Sequence, residues 1–127
     1  MVATALVNLD IDAGKSAVRS LDAAGFPVSG AFWLHFPEAE DWRLVLVTPQ
    51  VNKTGTLKTY ERIQEILQDP NQEPSVPLTA ITVMSPDEPL VQALRQSIKA
   101  EGLAGLRFSR GSAGNFYIDD AYIYRMT

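Results

Sequence analysis

Between Gly30 and Pro49 the chain reads GAFWLHFPEAEDWRLVLVTP, two apolar and aromatic runs on either side of a short acidic stretch. The pattern is that of a β-hairpin, with Pro37 to Asp41 as its connection. Side chains alternate across a strand, so Phe32, Leu34 and Phe36 share one face and Ala31, Trp33 and His35 the other. In the second run Trp42, Leu44 and Leu46 oppose Arg43, Val45 and Val47 in the same way. A sheet with one wet face alternates apolar with polar residues. Both faces of this hairpin are apolar, which predicts cover on both sides, by helices on one and by helices or a second subunit on the other.

The flanking segments supply the helices. Asp10 or Asp12 heads a stretch to Ala24 whose buried stripe is Ile11, Ala17, Val18, Leu21 and Ala24, and Gly25, Phe26 and Pro27 form a stop signal. Residues 1–9 are apolar but short, an arm or a tail. Thr56 to Gln68 places Leu57, Tyr60, Ile63, Ile66 and Leu67 near helical spacing. The proline-rich DPNQEPSVP, Asp69 to Pro77, is a surface linker leading to a strand over Leu78 to Met84. Ser85 and Glu88 have capping-box spacing before Leu90, Val91, Leu94 and Ile98, with Pro89 shifting the start. Gly102 and Gly105 end that helix before a strand from Leu106 to Ser109. A turn, Arg110 to Gly114, then leads to a last strand from Asn115 to Arg125.

The expected fold is therefore a single α+β domain over residues 1–127, a mixed, roughly five-stranded sheet with three helices in the order α-β-β-α-β-α-β-β. Helical crossovers make strands two, three and four parallel in the simplest arrangement. At 127 residues the chain buries a sufficient core without a staple, and its lack of cysteine excludes disulfides and thiolate metal sites. Its formal charge of −4 argues against a nucleic-acid coat or an anionic-membrane binder. With no long apolar run, a cytoplasmic protein without a membrane segment is expected.

Ligands in such sheets bind beyond the carboxyl ends of parallel strands. That rule gathers three loops and nominates Lys53, Thr54, Thr56, Ser85 and Arg110 as an anion site, with Lys58 one turn inside the helix. The acidic turn of Glu38, Glu40 and Asp41 falls at the opposite edge. Gly14, Lys15 and Ser16 spell the end of a P-loop, but Leu9 stands where its first glycine is required. His35 is the only histidine, so multi-histidine metal sites are excluded, and it lies within reach of Glu40 or Asp41. Asp119 and Asp120 would point to opposite faces of a regular strand and could not share a site unless a bulge intervened, leaving Arg107 or Arg125 as partners. A restriction-type nuclease would carry an acid-x-lysine pattern on the second hairpin strand, and WRLVLV lacks it.

No catalytic constellation, metal or cofactor is indicated. The leading expectation is a non-catalytic interaction module, a homodimer meeting its partner through Trp33, His35, Tyr122 and Tyr124, because the aromatic surface exceeds what three short helices cover. The alternative is a small-molecule-binding protein or enzyme acting on a phosphate-containing ligand at the nominated site. For the aromatic residues of the last strand, core packing ranks first, self-association second and base stacking third, the charge deciding against the last.

Overall fold

The computed structural model describes residues 8–36, 38, 41–68, 76–98 and 105–127. The expected N-terminal arm before residue 8, Glu40, linker residues 69–75 and Gly102 lie outside them. The elements are α1 (Asn8–Ala23), β1 (Gly30–Phe36), β2 (Asp41–Val47), α2 (Gln50–Thr54), α3 (Thr56–Leu67), a 3₁₀ turn (Leu78–Ala80), β3 (Ile81–Met84), α4 (Pro89–Ser97), β4 (Leu106–Ala113) and β5 (Phe116–Met126). They form an α+β fold around one five-stranded mixed sheet in the order β3-β2-β1-β5-β4.

The hairpin is the hub. Phe32 pairs with Val45 and Trp33 with Leu44 across β1 and β2. Its two faces carry the two cores. Ala31, Trp33, Trp42, Leu44 and Leu46 pack under α1 and α3, against Val18, Leu21 and Ile63. Phe32, Leu34, Val45 and Val47 pack against Val91, Ala93 and Leu94 of α4. Both apolar faces are thus covered within one chain.

The stop signal after α1 folds as its residues dictate. Gly25 takes φ 74°, the Phe26 N–H donates to the Leu21 carbonyl at 2.9 Å and the Gly25 N–H to that of Asp22 at 3.0 Å. This is a Schellman motif, with Phe26 buried beneath it. Three local expectations shift. Leu57 is 74% exposed and Thr59 is buried in its place, because six residues of helix put Leu57 roughly 120° from Ile63. Ala24 is exposed rather than part of the buried stripe. Ser85 heads a turn instead of capping α4, whose first turn begins at Pro89.

One directional expectation is overturned. β2 and β3 are parallel, but β4 pairs antiparallel with β5, and β5 antiparallel with β1, so β4 runs opposite to β2 and β3. The crossover through α4 carries the chain to the far side of the sheet rather than beside β3. The hairpin that follows turns at Gly114 and Asn115, with Gly114 at φ 59°.

α1 is tied down at two points. A bulge between Ala31 and Phe32 in the β1–β5 register leaves Tyr124 unpaired and turns its ring toward α1, where the hydroxyl accepts from Trp33 Nε1 (3.0 Å) and donates to the Ile11 carbonyl (2.5 Å). Burial pushes this phenol well above its ordinary pKa, the indole hydrogen bond opposing. Next along β5, Arg125 grips Asp22 with two hydrogen bonds of 2.9 and 2.7 Å.

These bonds hold the Asp22 carboxyl below its ordinary range, burial opposing, and Arg107 does the same to Asp120. Carboxylates with depressed folded-state pKa values stabilise the fold above their unfolded pKa, about 3.9, and lose that contribution as pH falls through the folded value. Denaturant midpoints are therefore expected to fall as pH drops below about 4, and to fall less steeply in the Asp22→Asn/Asp120→Asn variant.

Candidate ligand-binding cleft

β2 and β3 end at the same edge of the sheet, so α2 and the turn after β3 meet there. Their contact is a closed polar ring. Ser85 Oγ donates to Asn52 Oδ1 (2.9 Å), Asn52 Nδ2 to Asp87 Oδ2 (3.1 Å), and the Asp87 N–H to Ser85 Oγ (3.1 Å). The ring satisfies Ser85 internally and sets a carboxylate beside it, a poor setting for an anion. Lys53 and Thr56 are exposed and lie outside the neighbouring cleft. Arg110 is elsewhere altogether. It sits within β4 at φ 50°, toward the edge holding the β1–β2 turn, because β4 runs the other way. The five nominated residues therefore do not converge.

Thr54 alone among them lines the cleft that does form. This depression of about 330 Å³ lies between the end of α1 and the α2–α3 corner. One wall is Ala24, Gly25, Phe26 and Pro27, held by the Schellman turn. The other is Gln50, Thr54, Lys58, Thr59 and Arg62. Lys58 and Arg62 stand one turn apart on α3, and no carboxylate belongs to the lining. Neither cation has an ion-pair partner among the described residues. Glu61 and Glu65 line a separate depression with Gln64 and Gln68.

Like charges at i,i+4 on a helix cost about 0.2–0.5 kcal/mol, a cost that a bound anion would remove. Their spacing was readable in the sequence. The opposing wall, some thirty residues earlier in the chain, was not.

The polar residues of the last two strands form a second assembly. His35 Nδ1 lies 2.7 Å from Asp119 Oδ2, a partner on β5, while Asp41 of the expected pair lies 3.8 Å from Arg43 and Glu40 is outside the described residues. Arg107 holds Asp120 with bonds of 2.7 and 2.5 Å, and Ser109 donates to the same carboxylate at 2.8 Å. The Arg107 guanidinium lies 5.6 Å over the Trp42 ring, and the His35 ring is 5.2 Å from it.

Asp119 and Asp120 thus both reach the α1 side of the sheet, against strict alternation, while Ile118 and Ala121 both enter the opposite core. The break falls where Arg110 and Asp119 drop out of the ladder pairing. Each carboxylate is claimed by its own cationic or imidazole partner. The other residues nominated for an interface face inward: Trp33 and Tyr124 are buried, while His35 and Tyr122 are half-buried.

Fold and cleft together define an α+β domain with an open, cation-lined groove at the carboxyl edge of its parallel strand pair. No protein-family model matches the chain, and no curated protein or solved structure is detectably similar to it. No helix among the described residues is long and apolar enough to cross a membrane, and none of them cluster as a metal site.

Proposed function

We propose that this protein is a binding module for a small anionic ligand, held by Lys58 and Arg62 in the cleft between α1 and the α2–α3 corner. The observation that carries the reading is two cations without ion-pair partners among the described residues, facing a concave surface that no carboxylate lines. A guanidinium offers a bidentate fork and an ammonium a mobile point charge, a combination suited to phosphate. The cleft volume lies at the low end of the range for small-molecule sites. Phosphate monoesters are expected to raise the melting temperature of the wild type and to leave that of Lys58→Ala/Arg62→Ala unchanged. Equal shifts in both proteins would remove the reading.

A second reading, self-association as a homodimer, keeps one specific support. With Trp33 and Tyr124 buried, the exposed large apolar residues of the sheet are Leu106, Phe116 and Tyr117, all on the β4–β5 hairpin. β4 is an outer strand, and no other backbone bonds to its free side among the described residues. Sedimentation velocity at micromolar concentration is expected to show a dimer that Tyr117→Lys/Leu106→Lys dissociates. A monomeric wild type would end this reading and leave the cleft untouched.

A further inference from the structure

Resting on the cleft reading, we infer that the preferred ligand is a hydroxylated phosphate monoester, a sugar or polyol phosphate, rather than a bare anion. Both threonine protons are committed within the protein. Thr54 Oγ1 donates to the Gln50 carbonyl at 3.1 Å and Thr59 Oγ1 to the Gly55 carbonyl at 2.7 Å. A hydroxyl has one proton, and both are spent on backbone oxygens four residues back. The two oxygens stand 3.5 Å apart, and that of Thr54, the exposed one of the pair, offers the cleft lone pairs only.

The facing wall has the same sign. Ala24 and Gly25 close the carboxyl end of α1, the negative end of its macrodipole. The cleft is therefore divided. Lys58 and Arg62 donate and attract negative charge, whereas Thr54 accepts hydrogen bonds and the dipole end of α1 repels it. An inorganic phosphate satisfies only the first part. A molecule with a phosphate at one end and hydroxyl donors along its body satisfies both. At roughly 30 Å³ per water, the space holds on the order of ten waters, enough for a pentose phosphate.

Isothermal titration calorimetry on the full chain with ribose 5-phosphate, propyl phosphate and inorganic phosphate tests this. Ribose 5-phosphate is expected to bind at least tenfold more tightly than propyl phosphate. Thr54→Val should reduce that ratio threefold or more without changing propyl phosphate affinity, and Thr54→Ser should restore it. Equal affinities for the two esters would overturn the inference while leaving anion binding intact. Discrimination that persists in Thr54→Val, or in Lys58→Ala/Arg62→Ala, would overturn it by placing the recognition elsewhere. Binding of none of the three would remove both the cleft reading and this one.

Discussion

Gly14→Ala is expected to destabilise the protein by about 2–4 kcal/mol, although alanine is the better helix former by about 1 kcal/mol. A methyl group there would overlap the Tyr124 hydroxyl and approach Trp33 Nε1 to 2.7 Å and the Tyr124 ring to 2.9 Å. Those atoms belong to the hydrogen-bond chain from Trp33 through the Tyr124 hydroxyl to the Ile11 carbonyl that ties α1 to the sheet, and Trp33 and Tyr124 are both buried. Overpacking costs about 1–3 kcal/mol, and a displaced buried hydrogen bond adds a comparable desolvation penalty. Gly25→Ala is the control: a Cβ at Gly25 meets nothing within 4 Å, so only the positive φ is penalised, by about 1–2 kcal/mol. Urea midpoints for the two variants would separate the mechanisms. A Gly14→Ala protein as stable as wild type would show that α1 can move away from the sheet at little cost. The same contact accounts for the glycine of the Gly14-Lys15-Ser16 triplet, which serves helix–sheet packing.

Tyr60→Phe is expected to cost about 1–3 kcal/mol and to make the protein prone to edge-to-edge association. The Tyr60 hydroxyl accepts from the Val83 N–H at 3.0 Å and donates to the Ile81 carbonyl at 3.1 Å. On the outer strand β3 it replaces the backbone of a neighbouring strand. Removing one oxygen leaves a donor and an acceptor of β3 without this partner while the aromatic packing stays. Arg43, which also donates to the Ile81 carbonyl, at 3.3 Å, moderates the loss on the acceptor. Chemical denaturation reads the stability term, and concentration-dependent light scattering reads the association. Unchanged values in both would assign edge protection to the four-residue length of β3. The outer side of β4 has no such hydroxyl among the described residues.

The hairpin at Gly30 to Val47 was legible because a period of two over seven-residue strands leaves a single choice of faces, and Phe32 and Trp33 entered the cores that their parity assigns. Gly25, Phe26 and Pro27 were legible because a helix stop is written within four or five residues. Arg110 was misplaced because direction in a sheet is a property of pairing. The segment through α4 fits a crossover to β3 as well as a passage to the far edge, and only the β5–β1 ladder selects between them. Opposite faces for Asp119 and Asp120 follow from a rule that holds only while each pair stays in the ladder, and Arg110 at φ 50° marks where one leaves it. His35 found Asp119 for the same reason: β1 has two neighbours, and the turn was visible only on one side.

The cleft shows the division most clearly. Lys58 and Arg62 follow from helical spacing, and the exposure of Thr54 follows from the α2–α3 corner. The wall they face comes from the end of α1, brought there by Gly14 against Tyr124 and by Asp22 against Arg125. Local periodicity and capping are short-range physics, so the sequence by itself determined the three longer helices, the hairpin and the two-sided cover of the sheet, while α2 and the extension of β4 through Arg110 escaped it. Strand direction, the Arg110 break and the cleft depend on contacts between residues tens of positions apart, whose free energies only the assembled tertiary structure compares.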